Sequence, residues 1–102
     1  MHLVQILLPV QDRTGKPFDR TLYNDLARDL TGRFGGLTAY TQAPATGFWE
    51  EGLGRSVREP VVIYEVTVEV LERPWWRALC ERLELQFDQD ELVIRAHRFS
   101  RL

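Results

Sequence analysis

Several common chemistries find no material in this sequence. One cysteine, Cys80, excludes an internal disulfide. Its two histidines, His2 and His97, stand with Cys80 at no metal-ligand spacing, so neither a metal nor a cofactor is expected. No run near 18 apolar residues occurs, and no charged-then-apolar leader opens the chain; neither a membrane span nor secretion is expected, and the cytoplasm is the expected compartment. A surplus of one charge is lacking too, because 13 Lys and Arg face 15 Asp and Glu. That balance offers phosphate backbones and anionic lipid no general attraction, and nucleic acid is not an expected partner. Gly35-Gly36 and Gly52-Leu53-Gly54 come without a phosphate-loop lysine or a dinucleotide fingerprint, so turns account for them.

What remains is the composition of one folded domain. With 102 residues, 44% hydrophobic and 27% charged, residues 1–102 suit a single core, and no linker or solenoid repeat divides them. Leu3 to Val10 reads as a short, buried first strand, closed by the turn-forming 11–17. Asp19 is placed to cap a helix in which Leu22, Leu26, Leu30 and Phe34 recur every four residues, with Phe18 and Tyr23 at its entry and Gly35-Gly36 at its end. Leu37 to Ala43 and Val61 to Val70 alternate as strands. Pro74 suits the first position of a second helix, with Trp76, Leu79 or Cys80, Leu83 and Phe87 as its apolar stripe and Trp75 at the margin. Glu91 to Phe99 alternates again as a last strand.

The order strand, helix, strand, strand, helix, strand folds most simply into the ferredoxin-like βαββαβ plan. That plan is an α+β fold: a four-stranded antiparallel sheet of order 4-1-3-2, with both helices on one face. Between the middle strands a long hairpin turns about Gly52 and Leu53, which sets Pro44 opposite Pro60; the hairpin should bend there into a base and a projecting 45–59 arm. Two helices cover one sheet face only. If Val62, Tyr64, Val66, Val68 and Val70 point to the helices, the uncovered face carries Leu3, Gln5, Leu7, Ile63, Glu65, Arg95 and His97, apolar and polar mixed. So mixed a face, and an arm bearing Phe48, Trp49, Leu53 and Val57, imply cover, and a homodimer is expected. The arm either folds back on its own domain or embraces a partner.

Few side chains on this plan suggest chemistry. Glu65 and Glu69 share a strand face, but four residues of strand separate them by about 13 Å, beyond the reach of a working carboxylate pair. His97 and Arg95, near Gln5 and Glu65, form the one cluster with catalytic or anion-binding character, and Tyr40 joins it if the register allows. Strands three and four lie about 9.5 Å apart, so Arg95 reaches Glu65 over Gln5 while His97 does not. An ordinary polar strand at a dimer seam accounts for the same residues. RNA-recognition modules of this plan stack bases on aromatics in strands one and three; here the first strand has none and Tyr64 faces the helices.

The runs RFGGLTAYTQAPATGFWE (33–50), VLERPWW (70–76) and ELVIRAH (91–97) are similar to an uncharacterised family of short bacterial proteins. The resemblance spans nearly the whole chain. It implies a stand-alone bacterial protein of ferredoxin-like topology, of the dimeric α+β barrel type, and carries no activity, ligand or catalytic residue with it. The functional expectation is a homodimeric binding or interaction module that uses the open sheet face and the arm, with Gln5, Tyr40, Trp49, Glu65, Arg95 and His97 as ligand or interface residues. The alternative is a cofactor-independent enzyme for a small anionic or aromatic substrate, in which His97 moves a proton and Arg95 holds an anionic group.

Overall fold

A computed structural model describes the backbone of residues 1–51 and 55–102 and the side chains outside 42–59. Its elements are β1 (His2–Pro9), α1 (Arg20–Phe34), β2 (Thr38–Glu51), β3 (Arg55–Val68), α2 (Arg73–Gln86) and β4 (Ile94–Arg98). The strands form one antiparallel sheet in the order β2-β3-β1-β4, the expected 4-1-3-2 arrangement read from its other edge.

Local chemistry sets the helix ends. The Asp19 carboxylate accepts from the Thr21 backbone N–H at 2.9 Å and from the Thr21 hydroxyl at 2.9 Å, capping α1. Those bonds hold its pKa below the usual carboxylate range. At the other end Gly35 turns left-handed (φ 81°) and its N–H closes on the Thr31 carbonyl at 2.8 Å, a conformation that a Cβ would strain. α2 begins with Pro74 in its first turn and no side-chain cap. The carboxylate of its N-cap residue, Glu72, instead accepts from the Arg33 guanidinium at 2.7 Å. That guanidinium lies 4.3 Å from the centre of the Trp75 ring, and Phe34 stacks on Trp76. The end of α1 is thereby tied to the start of α2.

Alternation along β1 and β3 makes the core. Val4, Ile6 and Leu8 of β1 and Val62, Tyr64, Val66 and Val68 of β3 pack in one buried cluster with Leu26 and Leu30 of α1, Trp76, Leu79 and Leu83 of α2, and Phe87. Both helices thus lie on one face. Phe87 is 0% exposed and meets the rings of Phe18 and Tyr23 at 5.1 and 5.3 Å.

Three expectations are corrected. Val70 does not face the helices but is 73% exposed. β3 ends at Val68 opposite His2, and Val70 falls in the bend that follows, beyond the paired ladder. Pro44 is not opposite Pro60, which pairs with Thr46. Between the pairs Tyr40↔Ile63 and Ala45↔Val61, β2 spends residues 41–44 against Val62 alone, and Pro44 falls in that irregular stretch, where its missing N–H removes no ladder bond. The last strand is also shorter than the alternation implied, starting at Ile94, although the Val93 carbonyl accepts from the Leu7 N–H at 3.0 Å. β1 runs out at Pro9 opposite Val61, so the pairs from Thr46↔Pro60 to Glu51↔Arg55 extend beyond the four-stranded sheet as an arm.

Phe87→Ala removes the most enclosed ring of the core and should cost about 3–5 kcal/mol in urea-induced unfolding followed by tryptophan fluorescence. Burial pushes the Tyr23 phenol up to about 12. Because this folded value exceeds the unfolded one of about 10, the stability it confers is complete below about pH 10 and lost as pH rises through about 12. Tyr23→Phe should therefore flatten the alkaline limb of the stability curve between those values.

Candidate functional site

The odd-numbered residues of β1 and their partners on β3 turn away from the helices. Register sets Gln5 of β1 between Glu65 of β3 and Arg95 of β4, so the three side chains stand in one row across the sheet. Tyr40 of β2 pairs with Ile63, two residues from Glu65 on the same face, and its phenol reaches back diagonally.

The row is hydrogen-bonded end to end. Arg95 Nε donates to Gln5 Oε1 at 2.8 Å, Gln5 Nε2 donates to Glu65 Oε1 at 2.6 Å, and the Tyr40 hydroxyl donates to Glu65 Oε2 at 3.2 Å. The relay thus crosses all four strands, with one donor on each carboxylate oxygen. Gln5 is the hinge of the polarity: its amide N–H group serves the anion and its carbonyl serves the cation. Arg95 and Glu65, expected to meet directly, are bridged instead, since an extended side chain on the intervening strand fills the gap of about 9.5 Å between β3 and β4.

The row leaves hydrogen-bonding capacity unspent. Arg95 spends one of its donors on Gln5, and among the described residues no carboxylate pairs with it. Gln5 and Glu65 are half-buried beside half-buried Leu3, Leu7 and Ile63, while Tyr40 is 48% exposed. The bond to the Glu65 carboxylate, and then its charge, raise the Tyr40 phenol above its ordinary value, because ionising it would set two anions together. The face offers an anionic group the guanidinium at its β4 end, and offers a cationic or hydroxyl group the carboxylate and phenol at the other.

His97 stands apart from the relay. It is exposed, pairs with Leu3 across β4 and β1, and its imidazole has no hydrogen-bond partner among the described residues. The side chain of Trp49 lies outside the described residues. Glu69 is exposed beyond the end of β3 and plays no part in the row. The structure brings the sequence candidates Gln5, Tyr40, Glu65 and Arg95 together, and adds that Gln5 is the bridge, since its side chain is long enough and has both a donor and an acceptor to bond both neighbours. Among the described residues, no group of three or more His, Cys, Asp and Glu comes together to hold a metal, and no helix is long and apolar enough to cross a membrane.

No family model and no curated protein matches the chain. Among solved structures it is similar to a phage SAM lyase in complex with S-methyl-5'-thioadenosine, with a TM-score of 0.63 at 15% identity over 94% of this chain and 79% of that one. The apo state of a phage SAM lyase aligns with a TM-score of 0.59 at 14% identity, over 94% of this chain and 78% of that one. At such identities the likeness speaks for the fold alone.

Glu65→Gln keeps the shape of the row and removes its charge. The Tyr40 phenol should then titrate at a lower pH, nearer the ordinary tyrosine value of about 10, as followed by NMR of the Tyr40 ring across an alkaline titration. An unmoved titration would mean that the Tyr40–Glu65 bond does not persist in solution.

Proposed function

We propose that this chain is a homodimeric binding protein for a small molecule, held on the outer sheet face with the β2–β3 arm alongside. The observation that carries this reading is the relay from Arg95 through Gln5 and Glu65 to Tyr40, which stations opposite polarities at its two ends while leaving donors unspent. The ligand class that fits is amphoteric, with an anionic group at Arg95 and a cationic or hydroxyl group at Glu65 and Tyr40. Half-buried Leu3, Leu7 and Ile63 supply the apolar bed for its body and for the facing subunit.

A second reading is favoured by the fold likeness to phage SAM lyase, an enzyme. In it the same face is a cofactor-independent active site, Arg95 holds an anionic substrate group, and His97, which is exposed on that face and unpartnered among the described residues, moves a proton.

Titration calorimetry with SAM, which carries both a carboxylate and cationic centres, and with S-methyl-5'-thioadenosine tests the first reading. Saturable binding of the amphoteric compound is expected, weakened about tenfold or more in Arg95→Ala and in Glu65→Ala, with a dimer in sedimentation velocity at micromolar concentration. A monomer that binds neither compound would end that reading. Chromatography of SAM incubated with the protein tests the second; turnover unchanged in His97→Ala would take His97 out of the mechanism.

A further inference from the structure

The sheet has a second unclaimed surface, on the opposite side from the relay. α2 commits Trp76, Leu79 and Leu83 to the core and leaves the edge strand β4 partly uncovered, so an open groove of about 630 Å³ runs between helix and strand. Ala96 pairs with inward-facing Val4 and so faces the helices, yet it is exposed, which is the mark of that missing cover. Half-buried Leu71 and Ile94, with exposed Ala96, give the groove an apolar floor above the buried Val4 and Trp76.

Its rim is cationic. Arg73 and Arg77 stand one turn apart on α2, and Arg98 faces them from β4. Among the described residues none of the three has a carboxylate partner. Of the described residues that line the groove, Glu91 alone is acidic. Arg73 also places positive charge in the first turn of a helix that has no acidic residue there, an arrangement that the helix dipole disfavours. His2, paired with Arg98 across β1 and β4, also lines the groove, and its Nδ1 is shut off from water with no hydrogen-bond partner among the described residues. Loss of hydration, then the chain's amino terminus, Arg98 and Arg73, all push the His2 imidazole toward its neutral form. Three arginines from two elements, without carboxylate partners among the described residues, line one groove over an apolar floor, an arrangement that suits an anion.

We propose that the groove between α2 and β4 binds a small amphiphilic anion, its carboxylate among Arg73, Arg77 and Arg98 and its apolar body along Leu71, Ile94 and Ala96. Charge complementarity selects the head group, and the floor selects a hydrocarbon or ring. Arg95 and His97 also line the groove through the edge strand that the two sites share, but Arg73 and Arg77 of α2 belong to the groove alone, so its test is separate from that of the function proposed for the outer face.

The test is an NMR titration of the backbone amides with sodium decanoate, with decan-1-ol as the uncharged match. Saturable shifts should cluster in residues 73–80 and in β4, and decanoate should bind about tenfold or more tighter than decanol. Arg77→Ala with Arg98→Ala should abolish that preference while leaving decanol binding unchanged; if the pair does not fold, Arg77→Glu alone should do the same, and Arg77→Lys should largely retain it. Equal affinities for the two probes, shifts confined to Leu3, Gln5, Leu7 and Glu65, no saturable shift, or a preference unaltered in the folded variants would each overturn the proposal.

Discussion

The two-residue period of β1 and β3 is the constraint on which the rest of this molecule depends. Because side chains alternate across a strand, Val4, Ile6 and Leu8 commit the even positions of β1 to the helices and force Leu3, Gln5 and Leu7 to the other side. The pairing Gln5↔Glu65 carries the same choice into β3, and Gln5↔Arg95 carries it into β4. A slip of one residue in either pairing would drive Glu65 or Arg95 toward the core and bring its apolar neighbours out. Core packing therefore holds the relay in register, although no core residue belongs to it.

The covered face is not covered evenly. Arg33, held to Glu72 and lying over Trp75, and Phe34, stacked on Trp76, clamp the end of α1 to the start of α2. With Phe87 between Phe18 and Tyr23 at the far end of α2, these contacts draw the second helix toward the first. β4 is left at the margin, short and with Ala96 bare. The groove beside it follows from how the helices were fastened, so the two faces of one sheet present different chemistry: a hydrogen-bonded polar row with spare guanidinium donors outside, and arginines without carboxylate partners among the described residues over an apolar floor inside.

The relay also shows why charge on a strand does not translate directly into ion pairs. Arg95 and Glu65 occupy one row but are separated by a strand, and the gap is taken up by a side chain with a donor at one atom and an acceptor at the other. The result leaves the carboxylate bonded on both oxygens while the guanidinium keeps most of its donors. A direct pair would have consumed both charges. Likeness to phage SAM lyase at 15% identity reaches the fold and stops there, so the chemistry of this face rests on the chain's own residues.

Much of this was legible along the chain. Apolar period decided the elements, the cap at Asp19 and stop at Gly35 bounded α1, and alternation in β1 and β3 assigned Gln5 and Glu65 to the open face, because these effects act between residues close in sequence or through one rule of pleating. Tertiary structure alone decided the rest. Where Pro44 and Pro60 stand depends on the residues absorbed between Tyr40 and Ala45; whether Val70 is buried depends on where β3 leaves the ladder; and whether Arg73, Arg77 and Arg98 line one groove depends on where α2 sits relative to the edge strand. Register offsets and helix placement arise from contacts between segments far apart in sequence, and no local pattern encodes those.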